Sequence, residues 1–260
     1  MTPVRVFADA AALGLALAQE IVAGIDAART AGRRYVLGCP GGRSGRSTYE
    51  ALASLVVGAD LDHLIIAMMD DYVMRGPDGS WRHVPAEAHF SCRRFANVEI
   101  VAPLDAVAHV PVRPEHVWLP DPSDPAAYER RLMDVGGVDL FIVASGASDG
   151  HVAFVKPGMS LDGGASIIPL AETTRRDNMA TFPDFETLAD VPTHGVSVGL
   201  GTITNVSASV RLVIHGAGKR TTAERVLGTT DFDPAWPATF IHRCRDAQIW
   251  LDEAARPDGT

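Results

Sequence analysis

The segment spanning residues 139–157 holds the residue types that best suit chemistry. An apolar run over residues 140–144 is followed by small residues and then by Asp149, Gly150 and His151. Strands covered on both faces of a parallel sheet read as such runs, and open α/β folds bind ligands beyond their carboxyl ends. A carboxylate can orient an imidazole, and histidine titrates near neutral pH. Asp149 and His151 are therefore acid/base candidates, although a solvated Asp-Gly-His turn would have the same sequence.

Two further carboxylates follow the apolar run at residues 64–69. Asp70 and Asp71 are adjacent, and successive side chains at the end of a strand point in opposite directions. At most one of them is expected to face a ligand, and the other to orient it or cap the backbone. On the order of the chain alone, Asp70 and Asp149 converge on one site only if their strands are neighbours.

A glycine-rich loop, PGGRSGRS, separates a predicted strand at 35–39 from a predicted helix at 48–57. Such a loop directs backbone N–H groups and the positive end of the helix at an anion. It matches neither GxxxxGK[ST] nor GxGxxG, so neither a P-loop nor a dinucleotide site is supported. A second strand-to-helix junction offers a lysine that can bind phosphate as a point charge. The candidate phosphate ligands are Gly41, Gly42, Arg43, Ser44 and Lys219.

Alternating strands and helices are predicted to position these residues. The predicted strands are 4–7, 35–39, 64–69, 140–144, 166–170, 195–198 and 210–215. The predicted helices are 10–29 with Asp9 as N-cap, 48–57, 84–95, 126–135 and 216–227. The polar segment 173–190 has no sustained period and is expected to be a lid or a surface loop. No repeat or linker divides the chain, so residues 1–260 are predicted to form a single domain.

Composition points to a globular protein with a small-molecule partner. The chain has 47% hydrophobic and 21% charged residues and a net charge of −9, which disfavours nucleic acid and anionic membranes as partners. No stretch reaches the roughly 18 uninterrupted apolar residues of a membrane span, and the N-terminus lacks the basic-then-apolar pattern of a signal peptide. Cys39, Cys92 and Cys244 fit neither a disulfide framework nor a zinc pattern, and the histidines lack metal-ligand spacing. A cytoplasmic protein without a metal is expected.

Four blocks, in order across nearly the whole chain, resemble the glucosamine-6-phosphate deaminase family, which is related to the 6-phosphogluconolactonases. They are LGCPGGRSGRSTY at 37–49, MDDYV at 69–73, SGASDGHVAFVKP at 145–157, and a segment at 196–219 that begins VSVGLGTI and ends GAGK. Lactonases usually have Glu-Arg after the first aspartate and a Phe-Pro-Gly ending. Asp71-Tyr72 and Lys156-Pro157 are closer to the Glu-Tyr and Glu-Pro of the deaminases.

The resemblance implies a single-domain, Rossmann-like α/β fold with a doubly wound, mostly parallel sheet flanked by helices. It also implies ring opening of an aldose phosphate and proton transfer between C2 and C1. Asp70 would be the base that moves the proton, Asp149 and His151 would assist ring opening, and Ser44 and Lys219 would hold phosphate. A sugar phosphate is the implied ligand, no metal or other cofactor is required, and a homo-oligomer is compatible with the sequence.

Two positions depart from the deaminase pattern. Lys156 stands where the family has a glutamate paired with the histidine, and Ala180 stands where it has a phosphate-binding arginine. Lys156 reverses the charge beside the imidazole, so it is expected to contact an acidic group of an altered substrate, unless its flexible stem carries it into solvent. Arg43, Arg175 and Arg176 are candidates to supply the missing phosphate charge.

Three functions stay open on the sequence alone. The first is an isomerase or deaminase acting on an amino-sugar phosphate or a related sugar phosphate. The second is a lactonase in which His151 activates water, and the third is a non-catalytic homologue that binds a sugar phosphate. Ammonia release, lactone hydrolysis and binding without turnover distinguish the three.

Overall fold

The central element of the fold is a seven-stranded parallel sheet. It is seen in a computed structural model of the protein that describes residues 1–258. Within that range the strands are β1 (Val4–Phe7), β2 (Tyr35–Cys39), β3 (Leu64–Met68), β4 (Asp70–Arg75), β5 (Trp81–His83), β6 (Val117–Trp118), β7 (Val138–Ala144), β8 (Ser166–Pro169), β9 (His194–Ser197), β10 (Ser207–Ile214) and β11 (Ala247–Asp252). The sheet order is β1-β11-β10-β7-β2-β3-β6, and all its pairings are parallel. The predicted α/β fold with a mostly parallel sheet is confirmed.

The direction in which the chain crosses the sheet reverses between β2 and β7. From β2 the chain continues to β3 and β6 on one side, whereas from β7 it continues to β10 and β11 on the other. Loops leaving the carboxyl ends of two such strands diverge and open a crevice. β2 ends directly before the glycine-rich loop, and β7 ends directly before Ser145. The glycine-rich loop and the loop that contains Asp149 and His151 therefore both border this crevice.

A second, four-stranded sheet with the order β5-β4-β9-β8 is antiparallel and was not predicted. Asp70 and Asp71 are the first residues of β4 and lie opposite Ser197 and Val196 of β9. The aspartate pair is thus not in a free loop after β3. Backbone pairing with a distant segment fixes its position.

Helices cover both faces of the main sheet. Those in the described part of the chain are α1 (Ala10–Thr30), α2 (Arg46–Leu55), α3 (Cys92–Phe95), α4 (Ala102–Asp105), α5 (Pro125–Asp134), α6 (Glu172–Thr181), α7 (Leu200–Val206) and α8 (Arg220–Leu227). A π-helix, Ala96–Val101, joins α3 to α4. Asp9 accepts a hydrogen bond from the backbone of Ala12, which confirms it as the N-cap of α1.

One predicted helix begins later than expected, and one segment predicted without regular structure is partly helical. Residues 84–91 form turns, and the helix predicted at 84–95 begins only at Cys92, after Ser91 caps it by accepting from the backbone of Arg94. The segment at 173–190, expected to be a lid or a loop, contains most of α6. The α6 residues Thr174, Asp177 and Asn178 line a cavity with polar side chains, so the helix lacks the apolar stripe by which helices are usually predicted.

Two apolar clusters pack on opposite faces of the main sheet, because successive strand side chains alternate. In β2, Val36 belongs to one cluster and Leu37 to the other; in β3, Ile65 and Ile66 divide in the same way. The first cluster packs under α5, α7 and α8, and the second under α1 and α2. Burial on both faces explains the continuous apolar runs in the sequence.

By length and composition alone, α1 is apolar enough to cross a membrane. Its side chains at Leu13, Leu17 and Ile21 are fully buried within the second cluster. In this fold α1 is a core helix that covers one face of the sheet together with α2.

Candidate active site

A cavity of about 470 Å³ lies beyond the carboxyl ends of β2, β3, β7 and β10. Its volume is in the range of pockets that hold small ligands. The predicted site residues that line it are Gly41, Gly42, Arg43, Ser44, Asp70, His151 and Lys219. Asp149 contacts His151 directly behind this lining.

Asp70 and His151 reach the same cavity although their strands are not neighbours. β2 lies between β3 and β7 in the sheet. The expectation that the two carboxylate-bearing strands must be adjacent is therefore wrong. The segments that follow β2, β3, β7 and β10 all contribute to the cavity lining, so a site can be assembled across an intervening strand.

Asp149 and His151 form a hydrogen-bonded pair in the loop after β7. His151 Nδ1 donates to Asp149 Oδ1 over 2.7 Å, and the two side chains are only 13% and 10% exposed. Burial alone would raise the pKa of Asp149, but the hydrogen bond and charge of His151 and the hydroxyl of Thr173 lower it to about 2. Ionised Asp149 holds the hydrogen on Nδ1, so Nε2 is the ring nitrogen available to a ligand.

Gly146 is required by the close approach of this pair to the backbone. A Cβ atom at residue 146 would lie 2.1 Å from His151 Nδ1 and 2.8 Å from Asp149 Oδ1. Any side chain there would displace the imidazole. The small residues that follow β7 thus allow the loop to pass beside the catalytic candidates.

Asp70 is a buried carboxylate in the cavity lining, with 6% of its surface exposed. Burial raises its pKa, a hydrogen bond from the Cys92 thiol lowers it in part, and the nearby charge of Asp71 raises it further, to about 7. A carboxyl group with this pKa can both accept and release a proton at neutral pH.

Asp71 is fully buried, and its carboxylate accepts hydrogen bonds from the backbone. Its Oδ1 accepts hydrogen bonds from the backbone N–H groups of Tyr72 and Cys92, at 2.9 and 2.8 Å. Its Oδ2 lies 3.4 Å from Nδ1 of His83. This is the role expected for the member of the aspartate pair that does not face the ligand.

The glycine-rich loop and Lys219 line the same cavity and precede α2 and α8. Gly42 has a φ of +85°, a backbone conformation that residues with a side chain rarely adopt. The Nζ of Lys219 donates to the carbonyl of Ser145. Burial lowers the pKa of Lys219, the Asp177 carboxylate raises it, and the Arg43 charge lowers it.

The lining also contains polar groups that the sequence reasoning missed. α6 contributes Thr174, Asp177 and Asn178, and β10 is followed by His215, whose Nε2 contacts the Ser44 carbonyl at 3.1 Å. Among the described residues, the buried Nδ2 of Asn178 has no hydrogen-bond partner. His215 directly follows β10, so the tendency of α/β folds to bind ligands beyond strand ends could have predicted it as a site residue. The residues of α6 could not have been predicted, because the sequence of α6 has no helical apolar period.

Lys156 is not among the residues that line the cavity. It is half-buried and follows a short bridge between Val152 and Val155. Besides the Asp149 carboxylate, Thr174 Oγ1 lies 3.4 Å from His151 Nδ1. A contact between Lys156 and the substrate stays a prediction.

Of the three arginines considered for phosphate, Arg43 lines the cavity. Arg175 donates to the carbonyls of Leu188 and Val191, and Arg176 pairs with Glu172. The latter two guanidinium groups are therefore engaged elsewhere.

Within residues 1–258, no group of three or more His, Cys, Asp or Glu side chains is arranged to hold a metal ion. Cys39, Cys92 and Cys244 are free thiols.

Comparisons with known proteins give a consistent result. The family model described as glucosamine-6-phosphate isomerases/6-phosphogluconolactonase matches residues 8–250. A glucosamine-6-phosphate deaminase from Pseudarthrobacter chlorophenolicus is 34% identical over 229 residues, covering 85% of this chain and 80% of the relative.

Solved structures of both enzyme types share the fold. A monomeric glucosamine-6-phosphate deaminase superimposes with a TM-score of 0.82 at 21% identity, covering 97% of this chain and 98% of its own. The 6-phosphogluconolactonase of Trypanosoma brucei superimposes with a TM-score of 0.70 at 18% identity, covering 98% and 97%.

Proposed function

Because the chain belongs to the glucosamine-6-phosphate isomerase/6-phosphogluconolactonase family, we propose that it is an aldose–ketose isomerase or deaminase of a phosphorylated amino sugar or related sugar. The observation that carries the proposal is Asp70, a cavity-lining carboxylate with a pKa of about 7. Removal of a proton from carbon requires such a positioned base. Lactone hydrolysis requires only an activated water, for which the Asp149–His151 pair would suffice.

In the proposed reaction, Asp70 acts on the open-chain aldehyde. Its carboxylate takes the proton from C2, the C2–H electrons form a C1–C2 double bond, and the C1=O π electrons move to the oxygen, which takes a proton from solvent water. The same carboxyl group then delivers its proton to C1 through the double-bond electrons, while the hydroxyl or amine on C2 releases a proton to water and its lone pair forms a C=O or C=N bond, which leaves a ketose or, with an amine at C2, a ketimine. Water then hydrolyses the ketimine to a ketose phosphate and ammonia.

His151 is proposed to assist opening of the sugar ring. Its Nδ1–H is directed to ionised Asp149, so Nε2 can exchange a proton with the ring oxygen or the C1 hydroxyl. The buried carboxylate stabilises the imidazolium that forms when Nε2 takes up a proton. Gly146 keeps the backbone clear of the pair.

The phosphate is proposed to lie between the loop at residues 41–44 and Lys219. This part of the cavity is lined by the loop that precedes α2, with its backbone N–H groups and the Ser44 hydroxyl, and by two cations, Arg43 and Lys219. Arg43 takes the place of the arginine that the deaminase pattern has at residue 180. Cytoplasmic location and subunit assembly stay predictions.

The test uses purified protein with glucosamine 6-phosphate in heavy water. Ammonia and ketose phosphate are expected as products, with part of the deuterium at C1 because Asp70 exchanges its proton with solvent. The matched variant Asp70→Asn is expected to lose about 100- to 10,000-fold in rate.

A parallel assay with 6-phosphogluconolactone separates the two family activities. Lactone hydrolysis that survives Asp70→Asn, without ammonia release or deuterium transfer by the wild type, would replace this proposal with a lactonase. Binding of both sugar phosphates without any turnover would identify a non-catalytic homologue.

A further inference from the structure

Cys92 makes a hydrogen bond to Asp70, the candidate base, and the proposed reaction gives this bond no role. Its Sγ lies 3.3 Å from Asp70 Oδ1, and both side chains are buried and line the cavity. A carboxylate only accepts hydrogen bonds, so the thiol is the donor when Asp70 is ionised. The contact joins α3 to the first residue of β4.

The thiol is held in place by its own backbone. The N–H of Cys92 donates to Asp71 Oδ1 over 2.8 Å, and the same oxygen accepts from Tyr72. Ser91 fixes the start of α3 by accepting from Arg94. The two consecutive aspartates thus both contact Cys92: Asp71 accepts a hydrogen bond from its backbone N–H, and Asp70 accepts one from its thiol.

We propose that Cys92 is a positioning residue that engages Oδ1 of Asp70 and leaves Oδ2 as the oxygen that moves the substrate proton. The inference rests on the proposed function. A donor on one oxygen fixes the rotation of the carboxyl group, so that the other oxygen meets C2 and C1 in turn. A thiol is a weak donor, which orients the carboxylate without strongly favouring its charged form.

The surroundings keep the thiol protonated. The titratable side chains near Asp70 on the packed elements are Asp71, Tyr72, Cys92 and Tyr128, and His151 lines the same cavity. Burial raises the pKa values of Cys92, Tyr72 and Tyr128 well above their ordinary range. Around neutral pH these three groups stay neutral. When Asp70 ionises, the acceptor of the Cys92 hydrogen bond becomes negatively charged while the thiol remains the donor.

The decisive measurement is the infrared S–H stretching band of Cys92, which is isolated by subtracting the spectrum of Cys92→Ala. The band is expected to move to lower frequency as pH rises through about 7, where Asp70 ionises. In Asp70→Asn its position should be independent of pH. The bands of Cys39 and Cys244, whose thiols face the Leu37 and Phe240 carbonyls, are internal controls that should not move.

Kinetics provide a second readout that a purely structural role would not change. In Cys92→Ala, loss of the donor should move the acidic limb of the kcat/KM profile upward by about 0.5 to 1 pH unit, with kcat reduced more than KM is raised. Cys92→Ser restores a donor and should return the limb to the wild-type pH or below it.

The two proposals fail in different ways. An S–H band that ignores pH in the wild type, or an acidic limb that is identical in Cys92→Ala, overturns the role of Cys92. Absence of ammonia release and deuterium transfer overturns the proposed function, whereas the pH response of the S–H band is measured without substrate.

Discussion

Replacing Asp70 with asparagine should remove activity and at the same time stabilise the protein. Asparagine keeps the shape of the side chain and removes its charge. The pKa of Asp70 is about 7 in the folded protein, against an ordinary value of 3.8. This difference corresponds to about 4 kcal/mol, the upper limit of the destabilisation caused by ionising Asp70 within the fold.

The sign of the effect fixes its pH dependence. Below 3.8 the carboxyl group is neutral in both the folded and the unfolded chain, so its contribution to stability is fully present. As pH rises towards about 7, the unfolded chain ionises first and this stability is lost. Asp70→Asn should therefore match the wild type in acid and exceed it above pH 7 by up to about 4 kcal/mol.

Urea unfolding at a series of pH values measures this difference, and activity is followed in the same samples. The wild-type kcat/KM should fall about tenfold per pH unit below the pKa of Asp70. Parallel stability profiles for the wild type and Asp70→Asn would refute the raised pKa, and with it the reason for assigning the base.

Asp149→Asn is the matched control because its effect has the opposite sign. Asp149 has its pKa lowered to about 2, so its stabilisation is present above 3.8 and is lost as pH falls through about 2. The asparagine variant should be less stable at neutral pH by about 1–2 kcal/mol, after allowance for solvent screening. A gain in stability there would contradict the paired geometry.

Substitutions at four further positions test the rest of the site. Lys219→Ala should raise KM for the sugar phosphate about tenfold or more with a smaller change in kcat, and unchanged KM values in both Lys219→Ala and Ser44→Ala would place the phosphate elsewhere. Gly146→Ala should leave a folded but inactive protein, since its methyl group occupies the position 2.1 Å from the His151 ring; a fully active variant would contradict this. Lys156→Glu should abolish binding of any substrate whose acidic group meets Lys156, at several kcal/mol, whereas unaltered kinetics in Lys156→Ala would show that the lysine stays in solvent.

The sequence predicted the elements whose burial is uniform. β2 and β3 are covered on both faces, so their apolar runs mark them to within one residue at 35–39 and 64–68. The loops that follow them contain cavity-lining residues because the carboxyl ends of parallel strands share one edge. The same reasoning, applied to the segments after β3, β7 and β10, predicted that Asp70, His151 and Lys219 belong to the site, and all three line the cavity.

The parts that the sequence did not predict depend on distant partners. β4 begins with two aspartates and is a strand because β9, more than a hundred residues later, pairs with it. α6 shows a polar face to the cavity, which hides its period. The thiol contact between Cys92 and Asp70 arises only once α3 packs on β4. Each of these features follows from tertiary packing, which local patterns do not encode.

The placement of β1 at the edge of the sheet constrains the order in which the protein can fold during synthesis. In the described sheet β1 pairs with β11 alone, so β1, which is synthesised before the other described strands, can pair only after residues 247–252 have been made. Contacts of such large sequence separation form late and slow folding. Until then α1 can pack on α2 while β1 lacks its partner strand. Removing β11 should therefore leave two unpaired edges, those of β1 and β10, and favour aggregation over a smaller stable domain.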